Sequence, residues 1–169
     1  LSGASTDIGG SNVFIGNQAG FRNTSGNFNI ILGRNAGYDL SSGWGNIVLG
    51  DLAARKLTTG LQNVIIGDLS GITNTTGSSN IFLGANSGYS NISGSYNNFM
   101  GTYAGNLNST GAYNSFIGYM AGYNNTGGQY NTYMGYKSGY SGANASGSNN
   151  IFLGVESGYN NTSGYDNIA

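Results

Sequence analysis

The sequence has no cysteine, no proline and no histidine, and only 7% of its residues are charged. Without cysteine, no disulfide can brace the fold. Without histidine, the commonest catalytic base and metal ligand is missing. Without proline or a Gly-X-Y period, polyproline and collagen are excluded despite 32 glycines. A net charge of −1 exerts no long-range pull on nucleic acid or an anionic membrane, so neither is expected as a partner. No apolar run approaches the ~18–20 residues of a membrane helix, so no membrane span is expected. No basic-then-apolar leader stands at Leu1, and an export signal is expected to lie outside this segment.

What is present is one motif, Asn-x-(Phe/Ile/Val)-(Ile/Leu/Met)-Gly, recurring every 17 residues. Its lead asparagines are Asn12, Asn29, Asn46, Asn63, Asn80, Asn97, Asn114 and Asn131, then Asn150 after a two-residue insertion within 131–149, and Asn167. Such a period marks a stacked array in which each unit buries its apolar face only against its neighbours. The expected fold is all-β, a parallel β-solenoid of the β-roll or β-helix kind with about 17 residues per coil, comprising nine coils plus partial units at both ends. Residues 1–169 read as a single repeat array without a domain boundary. Because Gly3 and Gly9 precede Gly20 and Gly26 by one period, and Ala169 stops early in a unit, it reads as a segment of a longer fibre.

Counting from the lead asparagine, positions 5 and 15 are always glycine and position 9 is glycine except at Ala54. These predict three corners with positive φ or close approach of neighbouring coils. Positions 2 to 4, such as Ile81-Phe82-Leu83, predict a strand, and positions 6 to 8 a second short one. Parallel stacking at ~4.8 Å would make a rod roughly 43 Å long. Stacked columns should pair opposite charges, as Arg22 with Asp39 at position 11 and Arg34 with Asp51 at position 6.

Positions 3 and 4 are both apolar in every unit, yet successive strand residues point to opposite faces. One of these stripes must therefore face away from the interior, which predicts a second buried face shared with identical chains. The alternative is a flattened coil whose own turns cover both. The lead asparagines are read as structural corners, their carboxamides stacking on one another and on the turn backbone.

Function could sit on three outward features. Tyr96, Tyr113 and Tyr130 form a candidate stacking strip for sugar rings, with packing over the next coil as the alternative. Asn23, Asn74, Asn91, Asn108, Asn124, Asn144 and Asn161 are candidate glycan attachment sites in a polar corner at positions 12 to 14, where turn chemistry alone would choose the same residues. A threonine-rich position 13 raises ice- or crystal-surface binding, although Ile92 and Ala145 interrupt it. The acidic residues are scattered, so no catalytic residue, metal site or cofactor is expected, and the chain reads as a non-enzyme.

The unit Asn-x-Phe-Ile-Gly-x-x-Ala-Gly-Tyr-x-Asn-Thr-Ser-Gly, as in Asn12-Val13-Phe14-Ile15-Gly16 and Asn80-Ile81-Phe82-Leu83-Gly84, resembles repeats of bacterial surface and tail-fibre-like proteins. More distantly it is similar to the head repeats of YadA-like trimeric autotransporter adhesins. The resemblance spans essentially the whole chain. It implies an exported, repetitive homo-oligomer with a trimer favoured, located extracellularly or at the cell surface. The expected function is a structural fibre shaft, adhesive or surface-displaying, with host or surface glycans as partners. Carbohydrate binding through tyrosine ladders and ice or crystal binding are the alternatives.

Overall fold

The computed structural model describes residues 9–140 and 146–169. Its regular structure is entirely β: β1 (Val13–Ile15), β2 (Ile30–Leu32), β3 (Ile47–Leu49), β4 (Val64–Ile66), β5 (Ile81–Leu83), β6 (Asn98–Met100), β7 (Ser115–Ile117), β8 (Thr132–Met134) and β9 (Ile151–Leu153). They form one nine-stranded parallel sheet in chain order. Each residue pairs with its equivalent one unit later, as Val13 with Ile30 and Phe82 with Phe99. The fold is therefore a β-solenoid. The register survives the insertion, since Thr132 still pairs with Ile151. The extra residues fall between Tyr140 and Ser146, outside the described residues.

Each coil has one strand, not two. Positions 6 to 8 form a tight turn because position 7 is left-handed, as at Gln18 (φ 57°), Asn35 (φ 55°) and Tyr103 (φ 61°). Position 17 is left-handed as well, as at Phe28, Gln62 and Tyr113. Inter-coil bonding continues through the turn, with Asn35 N–H donating to Asn17 O at 2.8 Å and Gly37 N–H to Ala53 O at 2.9 Å. The coil can thus turn sharply without leaving buried amides unpaired.

Position 3 faces inward. Ile31, Val48, Ile65, Phe82, Phe99 and Phe116 are fully buried, and small residues such as Ala19, Ala36 and Ala53 at position 8 join the same core. Phe82, Phe99, Phe116, Tyr133 and Phe152 stack in sequence with ring centroids 4.7–5.1 Å apart. Position 9 packs against these rings from across the coil: a Cβ on Gly88 would lie 2.7 Å from the Phe82 ring. Ala54, the exception at this position, occurs in the coil whose inward residue is the smaller Val48, so its methyl occupies space that a ring takes elsewhere.

The three glycine columns have different causes. Positions 5 and 9 combine positive φ with close approach, whereas position 15 has no positive φ and is glycine because the next coil's carbonyl lies against it. At Gly67 (φ +140°) a Cβ would meet the Gly84 carbonyl oxygen at 2.5 Å. Gly67→Ala is expected to cost at least about 2 kcal/mol, through overlap with rigid backbone and a disfavoured φ. At Gly127 the nearest atom to an added Cβ is Thr110 Oγ1 at 3.5 Å, so Gly127→Ala should stabilise by roughly 0.4–1 kcal/mol. Thermal melts of the two variants check this; shifts of equal sign would contradict it.

Candidate functional site

The lead asparagines from Asn29 to Asn150 are buried at the junction where each coil closes. Asn29 Nδ2 donates to Asn12 Oδ1 at 3.1 Å and to Gly43 O at 2.9 Å, while its Oδ1 accepts the Asn46 backbone N–H at 2.9 Å and Asn46 Nδ2 at 3.0 Å. The same set recurs at Asn63, Asn114 and Asn131. One carboxamide thus joins its own coil end to end and bonds to the coils on both sides. Neither its nitrogen nor its oxygen is presented to solvent.

The polar corner is less open than its composition suggests. Asn23, Asn74, Asn91 and Asn108 are fully buried. The oxygens of Asn23 and Asn74 accept the position-15 N–H, as Asn74 Oδ1 does from Gly77 at 3.0 Å, those of Asn91 and Asn108 accept the amide of the next asparagine in the column, and all four nitrogens bond within the stack, as Asn108 Nδ2 does to Asn91 Oδ1 at 2.8 Å. A glycan would have to be attached to that enclosed nitrogen. These amides make internal structural bonds, which does not favour the attachment expected at these four residues. Asn161 is half-buried with its Oδ1 accepting from Gly164 N–H at 3.1 Å. Asn124 is half-buried beside Asn125, which takes the buried place in the column. Asn144 lies outside the described residues.

At position 13 the hydroxyls point along the stack. Thr24 Oγ1, Ser41 Oγ, Thr58 Oγ1 and Thr75 Oγ1 each donate to the backbone oxygen of the same position one coil on, at 2.9–3.1 Å. The protons of these four hydroxyls are engaged inside the coil stack and are not free to match a crystal lattice.

Tyr96, Tyr113 and Tyr130 are 56%, 49% and 56% exposed. They stack face to face, with centroids 4.9 and 5.0 Å apart and planes within 6–7°. Sugars pack on aromatic faces, and here each inner face is covered by the next ring. What reaches solvent is a row of ring edges and hydroxyls, a geometry that does not favour the sugar-stacking reading. Further columns run through Tyr119 and Tyr136 at 5.5 Å and through Tyr123, Tyr140 and Tyr159 at 5.4 and 5.0 Å. Tyr133, inside the coil, is different again: burial pushes its hydroxyl up to about 12, so the phenol stays neutral within the stack.

The expected charge pairs are present. Arg22 Nη1 lies 2.9 Å from Asp39 Oδ1, and Arg34 holds Asp51 through two hydrogen bonds. Among the described residues no three His, Cys, Asp or Glu side chains come together as a metal site, and no helix is long and apolar enough to cross a membrane.

The largest continuous feature is the outer face of the sheet. Positions 2 and 4 both point outward: Val13 is 45% exposed, Ile15 58%, Ile30 42%, Ile81 40%, Met134 43% and Leu153 55%. The stripe that faces away from the interior is thus position 4, joined by position 2, and the coil's own turns leave it uncovered. No protein-family model matches the chain, and no curated protein or solved structure matches it either.

Proposed function

We infer that this chain is a structural shaft of an extracellular or cell-surface fibre, built from identical chains and used for adhesion or surface display, without enzymatic activity. The observation that carries this reading is the apolar outer face, which runs the length of the sheet from Val13 to Leu153. A stripe of that length is more than an isolated soluble chain normally leaves in water. The occupant that fits it is another copy of the same chain. Its side chains recur at the same rung spacing, so two copies mesh along their whole length, and positions 2 and 4 carry no charge to oppose the approach. The likeness of the repeat unit to trimeric adhesin heads favours three copies and an exported location.

Light scattering on the purified chain tests this. The expected mass is three times 17.4 kDa, and Ile47→Lys with Ile81→Lys should give a folded monomer by placing two charges in the shared face. A folded wild-type chain that stays monomeric at micromolar concentration would overturn the assembly.

A further inference from the structure

The geometry points to a covalent modification site: the Tyr96–Tyr113–Tyr130 column is placed for oxidative coupling into a dityrosine staple between adjacent coils. Three observations converge on it. The rings are held in parallel 4.9 and 5.0 Å apart. Each is about half exposed, so a one-electron oxidant can reach its edge. Each sits at a left-handed backbone position (φ 59°, 57° and 56°), which fixes where the side chain leaves the coil. Two residues after each of these tyrosines the apolar position 2 is replaced, by Asn98, Ser115 and Thr132, so the outer face changes character where the column runs.

The chemistry balances with a peroxide as oxidant and a peroxidase to deliver it. Each of two tyrosines gives up one electron and its hydroxyl proton, leaving phenoxyl radicals with spin on the carbons ortho to oxygen. Two such carbons join. Loss of their hydrogens as protons restores both aromatic rings, and both oxygens are reprotonated. Two phenols and one hydrogen peroxide thereby give one dityrosine and two waters. Radical coupling in solution waits on encounter; here the partner ring is already adjacent, which replaces that encounter by a local rearrangement.

The pairs that involve Tyr119 are less suited. Tyr119 and Tyr136 are 5.5 Å apart, and the Lys137 ammonium lies 5.3 Å from the Tyr136 ring centroid, where its positive charge opposes electron loss. Tyr103 meets Tyr119 edge-on at 6.3 Å. In a chain without cysteine, the staple would supply the covalent link between coils that disulfides cannot.

The full folded chain, treated with peroxidase and hydrogen peroxide, is expected to develop dityrosine fluorescence and to lose two hydrogens in mass while running as one chain under denaturing conditions. Peptide mapping should place the link between Tyr113 and Tyr96 or Tyr130. Urea-unfolded chain should instead spread its links over the 13 tyrosines. Tyr113→Phe keeps the stack but leaves the outer two hydroxyl-bearing rings about 10 Å apart, two rungs away. In it Tyr96 and Tyr130 should lose their linkage. The proposal is overturned if folded chain links mainly through Tyr165, which is 59% exposed and outside this column, if links join separate chains, or if Tyr96 and Tyr130 couple as readily in Tyr113→Phe.

Discussion

Phe99→Asp is expected to destroy the cooperative unfolding of the central coils. Phe99 is fully buried and sandwiched, with Phe82 at 5.1 Å and Phe116 at 4.9 Å. Truncating a buried phenylalanine costs ~3–5 kcal/mol, and the carboxylate adds the expense of an unpaired charge in an apolar interior, so the loss should exceed about 5 kcal/mol. In a linear stack this loss falls on both interfaces of the coil, because each coil is stabilised only by its two neighbours. Amide exchange should therefore rise first around β5 to β7, while β1 and β2 keep their protection. Phe99→Leu serves as the comparison: it keeps most of the apolar area and loses mainly the ring stacking, about 0.5–1.5 kcal/mol. If Phe99→Asp melts like the wild type, position 3 is not the core.

The features legible in the sequence are those that stacking repeats. A parallel coil sets every side chain beside its equivalent 17 residues on, so Phe82 above Phe99, Arg22 beside Asp39 and Gly67 under Gly84 could each be read from the columns. The left-handed backbone at positions 7 and 17 could not. Those positions hold Leu52, Leu69, Tyr103 and Tyr113 as well as asparagine, and neither leucine nor tyrosine favours positive φ. Without that turn, positions 6 to 8 read as a second strand. The burial of Asn23 and Asn74 did leave a trace: the same column carries Leu40 and Leu57, also fully buried. Leucine sharing a column with asparagine marks an enclosed position where a polar side chain must bond inward, whereas Asn-Thr-Ser on its own reads as an exposed turn.

The second large effect is expected at the lead asparagines, with Asn63 as the test. Its Nδ2 donates to Asn46 Oδ1 and Gly77 O, both at 3.0 Å, and its Oδ1 accepts Asn80 N–H at 3.0 Å and Asn80 Nδ2 at 3.1 Å. Asn63→Ala strands the Asn80 N–H in a buried junction and leaves the Gly77 carbonyl with one of its two donors, Asn74 Nδ2 at 3.1 Å. At ~1–3 kcal/mol for the one unsatisfied group and ~0.5–1.5 kcal/mol for each further hydrogen bond lost, the cost should be at least about 2 kcal/mol, against less than about 0.5 kcal/mol for Asn17→Ala on the exposed turn. Asn63→Asp separates bonding from shape, since it keeps the volume and the acceptor but exchanges the amide donor for a carboxyl. Burial beside two carbonyl-type acceptors raises that carboxyl's pKa in the folded chain above its unfolded value of about 3.9. The linkage then requires greatest stability below pH ~3.9, where the carboxyl is protonated in both states and can donate one bond. Stability should fall as pH rises toward the higher folded value and stay low at neutral pH. Denaturation of Asn63→Asp across this range, compared with Asn63→Ala and the wild type, gives the answer. A pH-independent deficit in the aspartate variant would mean that the asparagine column fills space and that its hydrogen bonds do not close the coil.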